Sequence, residues 1–151
     1  MTSLDWSDVA GDAVTAAALH ALLRLRNQVF VVEQQCAYQD IDGLDLAPTT
    51  RHLGAEHDGT LVAYARLLAP APEAVRIGRV IVSSSVRGQR LGRQLMTRAL
   101  LSCAQHWPGA PITLSAQAHL TDFYAGHDFV AVGEPYDEDG IPHVDMVHRP
   151  A

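Results

Sequence analysis

The sequence predicts a single mixed α/β domain, and three observations carry that prediction. Its 151 residues suit one fold with one main core. Apolar periodicity switches repeatedly between the three-and-four spacing of helices and the alternation of strands, which gives a layered mixture of both. No repeat, low-complexity tract or boundary divides the chain, so residues 1–151 read as one unit.

After a short opening segment around Leu4 to Trp6, the stretch from Asp12 to Phe30 sets Val14, Ala18, Leu22, Leu25 and Val29 at spacings of three and four, an amphipathic helix. Asp12 is placed to cap it, because its carboxylate can accept from an unpaired first-turn amide. Val31 to Thr50 lose the period and collect Glu33, Asp40, Asp42, Gly43, Asp45 and Pro48, which reads as an acidic surface loop. Two extended runs then flank Asp58 and Gly59, a pair that accepts the positive backbone angles of a tight hairpin.

Pro70, Ala71 and Pro72 separate that hairpin from VRIGRVIV, a β-branched strand whose Gly78 marks a bulge or a close backbone approach. From Leu91, the stripe Leu91, Leu95, Ala99 and Cys103, with Met96, Leu100 and Trp107 beside it, defines a helix that Pro108 and Gly109 end. PITLS is a short strand, and AHLTDFYAGHDF a short helix packing Leu120 and Phe123 inward. FVAVGEP and IPHVDMVHR form a closing hairpin across the acidic turn YDEDG.

Composition excludes several function classes. Apolar residues make up 48% and charged residues 19%, enough for a packed core and unlike a disordered chain, a collagen repeat or a charged coiled coil. All 11 basic residues are arginine and the formal charge is −6, so there is no lysine nucleophile and no general basic surface for nucleic acid. Cys36 and Cys103 are too few for a disulfide framework and neither belongs to a CxxC pair; they read as free thiols of a reducing cytosol. The acidic N-terminal segment and the lack of any run of about 18 apolar residues point to a cytoplasmic protein with no membrane partner.

The informative stretch is GRVIVSSSVRGQRLGRQLM, a buried strand that passes through a polar turn into a strongly periodic helix. The first amides of a helix lack internal partners and carry the positive end of its dipole, so they can hold an anion. Gly88 and Gly92 bracket the helix start and remove side-chain bulk, while Arg87, Arg90 and Arg93 add charge; a pyrophosphate suits such a site. Neither a P-loop nor a GxGxxG pattern is present. On composition alone, a helix with solvated arginines accounts for the same residues.

The stretch VIVSSSVRGQRLGRQLM resembles the coenzyme-A motif of the GNAT superfamily of N-acetyltransferases. RNQVFVVEQQCAYQDIDGLD, RHLGA, LVAYARLL, IGRVIVSSSVRG, AQAHLTDFY and YDEDGIPHVDM resemble its ElaA-type branch, in the same order. The resemblance implies a mixed central sheet with helices on both faces and a splayed strand pair at the CoA site, with acetyl-CoA as cosubstrate and no metal. It also implies that Arg87 opens the phosphate turn and that the amides of Gly88, Gln89, Arg90, Leu91, Gly92 and Arg93 hold the pyrophosphate. The backbone of Val80, Ile81 and Val82 would pair with the pantetheine arm like an added strand, the Val82 amide polarising the thioester carbonyl. Arg90 stands where the superfamily usually has glycine, and so does Asp128 before Phe129. A homodimer is also an expectation of the family.

Acetyl transfer by direct attack in a ternary complex needs a neutral amine near the carbonyl and an acid for the leaving thiolate. Tyr124 matches the tyrosine that many GNAT enzymes keep near the sulfur, and a phenol stays protonated at neutral pH. Glu33, His119 and His143 are the candidate bases, and the sequence does not choose among them. His143, Asp145 and His148 do not converge as metal ligands, because alternation puts His148 on the opposite face. Cys36 has no adjacent base that would make it a covalent carrier. The acceptor is expected to be an amine on a small molecule or peptide, drawn by Asp40, Asp42 and Asp45 with Asp137, Glu138 and Asp139 if those carboxylates are not simply solvated surface. The alternative to an enzyme is a noncatalytic acyl-CoA sensor or protein-interaction module.

Overall fold

A computed structural model describes residues 3–71, 73–87 and 90–149. Seven strands form one mixed sheet in the order β1-β2-β3-β4-β5-β7-β6. They are β1 (Asp5–Ala10), β2 (Arg51–His57), β3 (Thr60–Leu68), β4 (Val75–Val82), β5 (Ile112–Gln117), β6 (Val130–Glu138) and β7 (Ile141–His148). The helices are α1 (Ala16–Arg26), α2 (Leu91–His106) and α3 (Thr121–Ala125).

The Asp58 and Gly59 hairpin forms as read. His57 pairs with Thr60, and the two turn residues take φ of 51° and 79°. The opening segment, however, becomes the edge strand β1, paired with β2 from Asp5↔Glu56 to Ala10↔Arg51. Thr15 rather than Asp12 caps α1, its hydroxyl accepting from the Ala18 amide at 3.1 Å, because the chain is still turning at Asp12. Beyond Arg26 the helix widens into a π-helical stretch, Asn27–Glu33, the kind of irregularity that recurs at functional sites. The segment read as one short helix splits into a single 3-10 turn, Ala118–Leu120, followed by α3. There Leu120 and Phe123 are half-buried and Tyr124 is the buried residue.

Two apolar layers sandwich the sheet. Leu91, Leu95, Met96, Ala99 and Cys103 of α2 pack with Ala63, Ala65, Leu67, Val75 and Ile77 on one face. Leu22 and Val29 pack with Tyr64 and Ile81 on the other.

The change of phase along β4 locates the irregularity that Gly78 signals. Val75 and Ile77 face α2, yet after the bulge Val80 and Val82 face that side and Ile81 faces away. Tyr64 pairs with Ile81 and Arg66 with Gly78, so Arg79 and Val80 together oppose the single residue Ala65. Arg79 takes up the extra length at φ 53°. β4 pairs with β5 only at Val75↔Ile112 and Arg76↔Thr113, and beyond those residues the two parallel strands part.

Candidate active site

The parting of β4 from β5 opens a cleft of about 740 Å³. Val80, Ile81 and Val82 border it from one strand, Leu114, Ser115 and Gln117 from the other. β5 satisfies its far edge by pairing with β7 from Ile112↔His148 to Gln117↔His143, whereas the bulged half of β4 has lost its neighbour on the cleft side. Such an unpaired edge offers amides and carbonyls to an extended ligand.

α2 begins at the end of this edge. Its N-cap, Arg90, has φ 58° and ψ 18° and supplies no side-chain hydrogen bond to the first turn. The amides opening the helix therefore stay available to an anion. Leu91 is buried as a core anchor. At Gly92 a methyl group would lie 3.4 Å from Phe123 and 3.8 Å from Val82, which ties the helix start to the cleft wall. Arg90 and Arg93 are exposed. Gly88 and Gln89 lie outside the described residues.

Glu33, His119, His143, Arg87 and Tyr124 all border the cleft. Arg87 donates from Nε to the Val82 carbonyl at 2.9 Å and from Nη2 to Glu33 Oε1 at 3.2 Å, so Glu33 is already ion-paired. His119 sits exposed on its 3-10 turn. His143 is buried: its Nδ1 lies 2.8 Å from the Ile141 carbonyl, and its ring stacks on Tyr136. A carbonyl only accepts, so Nδ1 carries the hydrogen and Nε2 keeps its lone pair, 3.4 Å from Glu138 Oε2. Tyr124 sits between the rings of Phe123 and Phe129, and burial pushes its hydroxyl up to about 12.

The segment read as an acidic surface loop is exposed over most of its length, but Asp40 and Asp45 are buried, and with Asp42 they are neutralised by arginines behind the bulge. Fully buried Arg26 donates to Asp40 Oδ2 at 2.9 Å, to Asp45 Oδ1 at 2.6 Å and to the Asp40 carbonyl at 2.8 Å. Arg66 forks onto Asp42 at 2.9 and 2.7 Å and reaches Asp45 at 3.0 Å. Arg79 donates from Nε to Asp40 Oδ1 at 2.8 Å and from Nη2 to the Asp40 carbonyl at 3.2 Å. The Tyr38 hydroxyl donates to Asp40 at 2.6 Å. Three guanidinium groups thus match three carboxylates, and Asp40, Asp42 and Asp45 have little charge left to attract an amine.

Burial lowers His52 and keeps it neutral: Nε2 donates to the Asp45 carbonyl at 2.8 Å while Nδ1 accepts from the Tyr64 hydroxyl at 2.6 Å. The sequence did carry a signal for this cluster. Arg26 continues the Leu22 and Val29 stripe, and Arg66 shares the face of Tyr64 by strand alternation, so both occupy inward positions.

Among the described residues no group of three His, Cys, Asp or Glu side chains is arranged to hold a metal ion. Among the described residues no helix is long and apolar enough to cross a membrane.

The Acetyltransferase (GNAT) domain family matches residues 11–149. Protein ElaA of Escherichia coli is 50% identical over 148 residues, covering 97% of each chain. A UPF0039 protein of Synechocystis is 43% identical over 150 residues, covering 97% of this chain and 96% of its own. The crystal structure of an acyl-CoA N-acyltransferase from Pseudomonas aeruginosa superposes with a TM-score of 0.93 at 53% identity, covering 97% of this chain and 99% of that one. That of E. coli ElaA gives 0.93 at 48% identity, covering 97% and 100%.

Proposed function

From the premise that the chain belongs to the GNAT acetyltransferase family, we propose that it moves an acetyl group from acetyl-CoA to a primary amine by direct attack in a ternary complex. One observation carries the reading: the bulged, unpaired edge of β4 runs along the cleft to the uncapped start of α2. An extended arm ending in a pyrophosphate matches that sequence of donors. In this reading Val80, Ile81 and Val82 pair with the arm, the amides from Gly88 to Arg93 hold the diphosphate, and Arg87 stands at their mouth.

His143 is the general base. Its hydrogen is committed to the Ile141 carbonyl, its Nε2 is free to take a proton, and Glu138 at 3.4 Å stabilises the imidazolium that results. Glu33 is held by Arg87, and exposed His119 lacks a comparable orienting bond. The neutral amine attacks the thioester carbon; the new C–N bond forms as the C–S bond breaks. The Val82 amide stabilises the charge growing on the carbonyl oxygen. His143 takes the surplus proton from nitrogen, and Tyr124 gives one to the departing sulfur, which leaves as the free thiol. The proton held by His143 restores the phenol through solvent. A cytoplasmic location belongs to the same reading, because Cys36 and Cys103 are unpaired thiols of the kind a reducing compartment preserves.

The test is a screen of purified protein with acetyl-CoA and an amine panel, read by thiol release and by mass identification of the product. Acetylated amine supports the reading. Tight CoA binding with neither thiol nor product across the panel would leave a binding module in its place.

A further inference from the structure

The cleft depends on β4 holding a conformation that its own sequence does not favour. Arg79 occupies the left-handed region at φ 53°, where a side chain is disfavoured, and it does so in the bulge that turns the strand edge toward the cleft. Something beyond local preference has to hold it.

The side chain supplies that hold. Its Nε and Nη2 grip the carboxylate and the carbonyl of Asp40 at 2.8 and 3.2 Å, and its guanidinium lies over the Tyr38 ring, 5.4 Å from the centroid. Asp40 is itself immobilised by Arg26 and by the Tyr38 hydroxyl. The bulge is therefore bolted through one residue to the C-terminus of α1 and to the loop after the π-helical stretch. We propose that Arg79 is a positioning residue for the acyl-CoA arm: its fork onto Asp40 fixes the register of Val80, Ile81 and Val82 along the cleft. This rests on the cofactor reading above.

The role separates from a merely structural one, because Arg66 shares Asp42 Oδ2 with Arg79, at 2.7 and 3.5 Å, yet makes no hydrogen bond to Asp40. Arg79→Gly is the informative variant, since glycine adopts the left-handed angle freely and the substitution removes the side chain's hold on Asp40, Asp42 and Tyr38 without straining the backbone. Asp40→Asn weakens the same fork from its other end. Arg66→Gln is the control that loosens the cluster elsewhere.

Three readouts are taken on each purified protein: CoA affinity by calorimetry, steady-state constants for acyl-CoA and amine, and hydrogen exchange of the segment 75–86. Arg79→Gly and Asp40→Asn should raise the acyl-CoA KM by roughly tenfold or more. They should speed exchange in that segment and leave the amine KM within about threefold. Arg66→Gln should lower the melting temperature without moving the acyl-CoA KM. If Arg79→Gly binds CoA and exchanges like the parent protein, or if Arg66→Gln raises the acyl-CoA KM equally, the positioning role is wrong. Should Arg79→Gly fail to fold, Asp40→Asn and Arg79→Lys decide by the same criteria, lysine restoring charge but not the fork. Failure of the parent protein itself to bind CoA would overturn the cofactor reading, an outcome distinct from an indifferent Arg79.

Discussion

Replacing Arg26 by methionine should be among the most damaging single changes in the chain. Methionine keeps the length and apolar stem of the side chain but removes three hydrogen bonds at 2.6–2.9 Å from a residue with no exposed surface. Asp40 would retain Arg79, and Asp45 would retain Arg66, yet two guanidinium groups would then face three carboxylates. Asp45 Oδ2 is already buried without a partner, so the surplus charge has no local outlet. Breaking a buried pair from one side costs about 3–5 kcal/mol. At this chain length that is about 6–20 °C of melting temperature.

The cost must also depend on pH. Burial would raise the Asp45 carboxyl, but the hydrogen bonds and charges of Arg26 and Arg66 together outweigh it and hold the group below the ordinary carboxylate range. A carboxyl lowered in the folded state contributes stability above its unfolded value, and that contribution fades as the pH falls through the lowered one. Arg26→Met removes part of the contribution, so the gap between variant and parent should be widest near about pH 7, persist to about pH 4, and narrow only as the pH falls further, toward about pH 2. Thermal and urea unfolding followed by circular dichroism at about pH 7 and about pH 2 measures it, and Arg26→Met with Asp45→Asn should recover part of the loss. A penalty below about 1 kcal/mol, or one equal at both pH values, would refute the account of a coupled buried cluster.

Tyr124→Phe should lower kcat by roughly a hundredfold with little change in the acyl-CoA KM, and His143→Gln should do the same while leaving CoA affinity intact. Steady-state thiol release and CoA calorimetry check both, and an unchanged kcat removes the assigned role. Asp42 is opposed by burial but held down to about 2 by the fork from Arg66. Its stabilising contribution should therefore be present above about pH 3.9 and vanish as the pH falls toward about 2, so Asp42→Asn should flatten the acid limb of a melting-temperature profile. Gly11→Ala should destabilise by about 1–3 kcal/mol in urea titrations, because a Cβ there would lie 2.4 Å from the Ala47 carbonyl oxygen and 2.5 Å from that of Asp45.

What the sequence made legible follows from the range of each signal. The hairpin at Asp58 and Gly59 and the stripe of α2 are local patterns, and both formed. β1 was hidden because a partly exposed edge strand of six residues, DWSDVA, has too little alternation to declare itself. The acidic loop misled for a different reason. Composition reports charge, whereas burial of Asp40 and Asp45 is set by arginines 14 and 21 positions away in sequence, with Arg79 39 positions distant. The bulge was legible at Gly78 but fell on Arg79, since register is fixed by pairing with β3 rather than by the glycine itself.

Two of the chain's departures from the superfamily pattern put side chains where the backbone is left-handed. Arg90 and Asp128 stand where glycine is usual, and both hold the left-handed conformation that glycine would adopt freely, at φ 58° and 67°. At both positions a side chain bears strain that glycine would not. Among the described residues, the non-glycine positions with positive φ are Gln35, Asp58, Arg79, Arg90, Asp128 and Asp139. Asp58 and Asp139 sit in hairpin turns that reverse the chain, and Asp139 also lines the cleft. Of the others, Arg79 lines the cleft from the bulge, Gln35 lies between lining residues Gln34 and Cys36, Arg90 starts α2, and Asp128 follows the helix that carries lining residue Tyr124. Such strain is held in place by the rest of the structure, and at Arg79 it falls on the wall of the cleft itself, where the fork onto Asp40 holds it.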